Sequence, residues 1–154
     1  RMIYDYDGLG NVKIISDKFK LAIEQIEPNT HQFFPIKMLD RKKNFLADHW
    51  IWNICNRVDS VDRKNTNAFL YEYDHGLAKK WRRYNDPFAP TVPAGINPDD
   101  PVRFVFNREQ IGGYKFWRDP FMTLMDKIYI SDCAYEIIVK NQINNICFTE
   151  IPSV

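Results

Sequence analysis

Three things are scarce in this chain of 154 residues, and each scarcity excludes a class of protein. No apolar run approaches the roughly 18 residues that a membrane-crossing helix needs, so no span is predicted and no membrane partner is expected. An excess of one charge is missing too: 21 basic residues stand against 20 acidic ones, a formal charge of +1. That argues against nucleic acid as the partner, since a basic surplus is the usual footprint of such binding, and equally against an acidic nucleic-acid mimic. Cysteine is rare. Cys55, Cys133 and Cys147 form an odd, widely spaced set that makes neither a disulfide framework nor a zinc site. Three reduced thiols point to a cytoplasmic protein. Residues 1–7 are followed by no apolar run and do not read as a signal peptide, while an opening on Arg1 in place of Met leaves a trimmed upstream segment open.

What is present is ordinary in bulk and unusual in aromatics. Hydrophobic residues make up 45% and charged ones 27%, which suits a globular protein, whereas 15% are Phe, Tyr or Trp. Aromatic cores and aromatic partner surfaces both produce that figure. The length predicts one domain over 1–154, or two small halves sharing a core, large enough to bury about two-thirds of the unfolded surface without staples.

Along the chain, Met2 to Tyr6 alternates like a strand, Asp7 to Asn11 reads as a turn, and Val12 to Ile15 as a second strand. Ser16 then opens a helix: its hydroxyl can accept a free first-turn amide, and Asp17 lies where the helix dipole favours an anion. Phe19, Ala22, Ile23 and Ile26 form its apolar face, and Pro28-Asn29 ends it. Phe33 to Met38 reads as a buried strand in which Pro35 marks an edge or bulge. A polar turn over Asp40 to Asn44 leads to a strand near 49–56, where Trp50, Trp52 and Ile54 alternate; a loop from Asp59 to Asn67 and a strand from Ala68 to Tyr73 follow. Gly76 to Tyr84 is predicted helical, with Leu77, Trp81 and Tyr84 inward. Five prolines between Asn85 and Pro101 predict a long loop or extended arm. Val102 to Phe106 and Tyr114 to Arg118 are predicted to pair as a hairpin across Gly112-Gly113. Phe121 to Met125 suits a helical turn and Ile128 to Ile130 a strand.

One pattern repeats. Ile15 to Ile36 recurs at Ile130 to Ile151 without a gap, at a shift of 115. Ile15-Ser16-Asp17 falls on Ile130-Ser131-Asp132, Ile23 on Ile138, Phe33 on Phe148 and Ile36 on Ile151. Pattern, caps and length agree on two β-α-β units. The fold expected is therefore α+β: small mixed sheets with short helices, and two related β-α-β flanks (12–38 and 128–151) around a variable centre (66–101).

No constellation of residues carries a reaction. His31, His49 and His75 lie too far apart for a helical metal pair, and Asp48-His49 on a strand would point to opposite faces. The acid pairs Asp5/Asp7, Asp59/Asp62 and Asp99/Asp100 lack the spacing of a two-metal nuclease and suit turns. Gly8-Leu9-Gly10 lacks the third glycine of a dinucleotide loop. No catalytic residue, metal ligand or cofactor is predicted. Lys79-Lys80-Trp81-Arg82-Arg83-Tyr84 mixes cations and rings, the composition that stacks single-stranded bases or contacts an acidic protein surface.

Certain stretches resemble a known family. Lys13-Ile14-Ile15-Ser16-Asp17-Lys18-Phe19-Lys20-Leu21-Ala22-Ile23 with Phe33-Phe34-Pro35-Ile36 resembles the opening of the eleventh polymorphic-toxin immunity family, once a domain of unknown function. Trp50-Ile51-Trp52-Asn53-Ile54 before Val58-Asp59-Ser60-Val61-Asp62 resembles its central strand and loop. Phe116-Trp117-Arg118 leading to Ile128-Tyr129-Ile130-Ser131-Asp132 resembles its closing strand and helix start. The resemblance implies a small cytoplasmic protein, encoded beside a secreted antibacterial toxin, that binds the cognate toxin domain and blocks it without catalysis. A small nucleic-acid- or ligand-binding module is the alternative. The stretch from Thr66 to Asp100 resembles the family least, and the expected partner-binding residues lie there: Tyr71, Glu72, Tyr73, Asp74, Arg82 and Arg83.

Overall fold

A computed structural model describes residues 5–9, 12–73, 78–122 and 127–154. In chain order its elements are β1 (Tyr6–Leu9), β2 (Val12–Ser16), α1 (Asp17–Ile26), β3 (Gln32–Leu39), β4 (Phe45–Asn53), β5 (Phe69–Tyr73), β6 (Ala78–Arg82), α2 (Arg108–Ile111), β7 (Phe116–Trp117), β8 (Tyr129–Ile130) and α3 (Asp132–Lys140). This is the small α+β fold expected, but its described sheets are antiparallel and not mixed, because β4 lies between β2 and β3. The chain divides into two compact units: Arg1–Arg57, Tyr114–Arg118 and Ile128–Phe148 form the first, and Val58–Gly113, Asp119–Lys127 and Thr149–Val154 the second.

The first unit is built on a four-stranded sheet of order β1-β2-β4-β3, in which every neighbouring pair is antiparallel. β2 and β3 flank β4 and so run parallel to each other, with α1 as the crossover. Ser16 ends β2 and caps α1, accepting from the Phe19 amide at 3.2 Å. Its hydroxyl donates to Asp5 at 2.8 Å, so one side chain tethers the helix start and the preceding segment. Burial pushes the Asp5 carboxyl up, but hydrogen bonds from Lys18, Ser16 and the Asn144 amide, with the Lys18 charge, hold it below the ordinary range.

Side-chain alternation places Ile15, Trp50, Trp52 and Phe33 on one face of this sheet. There they form the core with Phe19, Ala22 and Ile23 of α1, Phe116 of β7, and Ala134 and Ile138 of α3. Burying each large apolar member stabilises the fold by roughly 1.5–3 kcal/mol. Trp52 meets Phe19, His31 and Phe116 edge-on, at 5.7, 5.6 and 5.3 Å between ring centres. The repeat is visible at the caps: Ser131 accepts from the Ala134 amide at 3.3 Å, as Ser16 does from Phe19. Phe19/Ala22 in one helix becomes Ala134/Ile137 in the other, and both pairs pack on the same core.

The repeat stops short of its last strand. Phe148 to Ile151 form no strand, and the residues from Thr149 onward belong to the second unit. There the Phe106 amide donates to Pro152 O at 2.8 Å and the Arg108 amide to Val154 O at 2.8 Å. The first flank ends beside the nine-residue β4, which supplies a full ladder; the second has only the two-residue β7–β8 pair. Without a long partner, the backbone groups of the tail find acceptors and donors elsewhere.

The second unit pairs β5 with β6 and is otherwise mostly irregular. Ser60, fully buried, donates both its amide (2.8 Å) and its hydroxyl (2.9 Å) to the buried Asp119 carboxylate. The Thr66 hydroxyl accepts from the Val105 amide at 3.0 Å, and Asp62 accepts from the Lys64 and Asn65 amides at 2.8 Å each. No helix or strand occurs between residues 83 and 105, as the prolines predict.

Several sequence expectations are corrected. The hairpin between Val102–Phe106 and Tyr114–Arg118 does not form. Asn107 caps the single turn of α2, accepting from the Gln110 amide at 3.0 Å, and Gly112 at φ 59° closes it. Phe106 then bridges Val61 and Ser153, while Phe116–Trp117 pairs with β8. The strand placed at 49–56 begins four residues earlier and ends at Asn53. Asp7 to Leu9, expected to turn, belong to β1. Residues 1–4, 10–11 and 123–126 lie outside the described residues, and with them most of the Met2–Tyr6 strand and part of the Phe121–Met125 turn.

Candidate partner-binding surface

The segment expected to be a basic helix is strand β6, antiparallel to β5. The helical spacing of Trp81 and Tyr84 and the helix preference of Ala, Lys and Arg are overridden because β5 offers a cross-strand partner at every position. The register pairs Phe69 with Arg82, Leu70 with Trp81, Tyr71 with Lys80, Glu72 with Lys79 and Tyr73 with Ala78.

That register sorts the six expected contact residues. Phe69, Tyr71, Tyr73, Lys80 and Arg82 share one face. The Arg82 guanidinium lies 4.7 Å from the centre of the Tyr71 ring and 5.5 Å from that of Phe88, and the Lys80 ammonium 5.2 Å from that of Tyr73. The Tyr71 and Tyr73 rings are nearly parallel, with ring centres 6.4 Å apart, and Tyr71 and Phe88 approach to 5.4 Å. Tyr73 is 42% exposed and Phe88 61%. Asp86 sits at the end of this platform, 2.5 Å from Arg82. A hydrogen bond from the Phe88 amide, then the Arg82 contact and the Lys80 charge, hold its carboxyl below the ordinary range against some desolvation.

Glu72 is on the other face. It pairs with Lys79, beside Leu70 and Trp81, and the Trp81 ring meets Phe104 edge-on at 5.8 Å. Trp81 is thus an anchor, as helical reasoning also concluded for a different geometry. Arg83 follows the strand and is exposed. Asp74 and His75 lie outside the described residues. Tyr71, Tyr73 and Arg82 are therefore brought together, and Glu72 is separated from them. In the sequence Lys80 is one charge in a basic run; its pairing with Tyr71 puts it on the platform.

In the first unit, His31 is held in a buried polar knot. Its Nε2 lies 2.9 Å from a Glu27 oxygen, and its Nδ1 accepts from the Cys55 amide at 3.3 Å. Glu27 also accepts from the Lys115 amide at 2.6 Å and the Phe116 amide at 3.1 Å. Burial raises the Glu27 carboxyl, but the His31 bond, these amides and the imidazole's charge outweigh it and hold it low. The knot ties the end of α1 to β7 and to the chain after β4. A carboxylate just past a helix C-terminus opposes the dipole, and that was the available signal that Glu27 has partners.

The acid pairs are taken up separately. Asp5 serves the Ser16 cap, and Asp62 a turn. Asp59 pairs with Arg63, though burial first and the Asp119 charge second raise its carboxyl above the ordinary range. Among the described residues no group of three or more His, Cys, Asp or Glu could hold a metal ion, and no helix is long and apolar enough to cross a membrane.

A small α+β protein with an aromatic, cationic hairpin face is the class these features define. The model of an immunity protein family, Imm11, matches residues 1–153, and the chain belongs to that family. No curated protein and no solved structure matches it.

Proposed function

We propose that this protein neutralises a cognate antibacterial toxin domain by direct contact, acting in the cytoplasm of the producing cell and without turnover of its own. Membership of the immunity family over residues 1–153 is the observation that carries this reading. The contact surface is the variable centre, 66–101, and within it the platform of Tyr71, Tyr73 and Arg82 with the exposed Arg83. Tyr and Arg are the residue types that most often anchor interfaces, combining large area with few rotatable bonds. Prolines in the following arm reduce the entropy lost on docking.

The test is binding of the purified toxin domain encoded beside this gene, by calorimetry, with the toxin's activity measured alongside. A stoichiometric complex that abolishes activity is expected. An immunity protein that leaves the toxin unbound and fully active at micromolar concentrations sinks the reading.

A further inference from the structure

The two faces of the β5–β6 hairpin differ in how their charges are balanced. On the Leu70/Trp81 face, Glu72 and Lys79 neutralise each other. On the platform face there are two cations, Lys80 and Arg82, and one carboxylate, Asp86. Arg82 is already committed: it pairs with Asp86 and is flanked by the Tyr71 and Phe88 rings. Lys80 is not. Its close contact is the Tyr73 ring, and it makes no ion pair among the described residues. Tyr73 and Phe88 leave apolar area open on either side.

We propose that this face binds an acidic segment of the partner protein, with Lys80 receiving a carboxylate and Tyr73 and Phe88 packing beside it. The inference rests on the proposed function and adds the chemistry of the partner. Arg82 acts as a positioning residue: it holds Tyr71 and Phe88 in place and spends its charge internally. Lys80 is the residue that selects the sign of the partner. An ammonium already partly desolvated against a ring loses less hydration on meeting a carboxylate than a fully solvated one would. A nucleic-acid strand draws its affinity from many phosphate contacts at once, whereas this face offers a single cation outside an ion pair among the described residues.

The experiment has two arms, each with wild type, Lys80→Glu, and Lys79→Glu, which makes the same charge change on the opposite face. The first arm measures binding to a random glutamate–tyrosine copolymer, to a lysine–tyrosine copolymer and to a twenty-nucleotide oligo(dT), at 50 and 300 mM NaCl. The glutamate copolymer should bind best and weaken with salt. Lys80→Glu should lower its affinity at least tenfold and Lys79→Glu less than threefold, with melting temperatures unchanged. Equal loss in both variants, no preference over the lysine copolymer, or stronger binding of oligo(dT) overturns the inference. The second arm repeats the comparison with the toxin domain. A toxin that binds wild type and Lys80→Glu equally well overturns the acidic-partner inference and leaves the proposed function standing. A toxin that binds neither removes the function, and the copolymer arm then decides the inference alone.

Discussion

The two units are stabilised by different means. The first has α1 and α3 closing over Ile15, Trp52 and Phe116, with interlocked aromatic rings at the centre. The second buries fewer apolar groups, among them Val58, Val61, Phe106 and Ile111, and relies on side chains that satisfy backbone amides: Asp119 with Ser60, Thr66 with Val105, Asp62 with Lys64. Apart from the buried Phe106, the large aromatic residues of its described part stay partly exposed, several of them on the hairpin. In the first unit the rings pack into a core; in the second, polar bonds hold much of the backbone and most rings stay partly exposed.

This contrast is open to direct attack. The largest expected effect is in the first core. Phe19→Ala should lower stability by about 3–5 kcal/mol in urea unfolding, through lost burial and the cavity left between Trp52 and Tyr6. Phe88→Ala on the platform, being exposed, should change stability by less than about 0.5 kcal/mol while weakening toxin binding. Equal destabilisation by both would erase the distinction between the units.

Next in size is the polar knot. Glu27→Gln should cost about 1–3 kcal/mol, because buried amides and His31 lose a charged acceptor. Since the folded Glu27 carboxyl titrates below its unfolded value, its contribution is fully present above the ordinary carboxylate range. It is lost as pH falls through the lowered folded value. Acid unfolding followed by tryptophan fluorescence should therefore be flatter in Glu27→Gln than in wild type below the ordinary range. A steeper acid loss in the variant would contradict the assignment.

In the second unit, Gly112→Ala meets no steric contact nearer than 4.0 Å, so its expected loss of about 1–3 kcal/mol comes from backbone strain at φ 59°. Thermal melting with no loss would show that the turn after α2 relaxes freely. The smallest effects belong to the caps. Ser131→Ala should cost about 1 kcal/mol, and Ser16→Ala somewhat more because its hydroxyl also holds Asp5. Reversal of that order by chemical denaturation would remove the extra role given to Ser16.

The helices were legible because their signals are local. Ser16 and Ser131 cap where expected, and the 3.6-residue spacing of Phe19, Ala22 and Ile23 marks the buried face correctly. Of the expected contact residues, residue type alone groups Tyr71, Glu72, Tyr73 and Arg82, whereas the strand register sets Tyr71, Tyr73 and Arg82 on one face with Lys80 and puts Glu72 on the other.

The remainder depends on contacts between distant parts of the chain. Residues 78–82 become a strand because β5 lies beside them, and the register with β5 alone decides that Lys80 and Arg82 face the rings while Lys79 and Trp81 face away. Asp119 reaches Ser60 across 59 residues, and Glu27 reaches Phe116 across 89. Residue order settles caps, turns and apolar periodicity because those interactions span one or two turns of backbone. It leaves open where an unpaired amide or a lone cation finds its partner, because that depends on which strands and loops the core brings together.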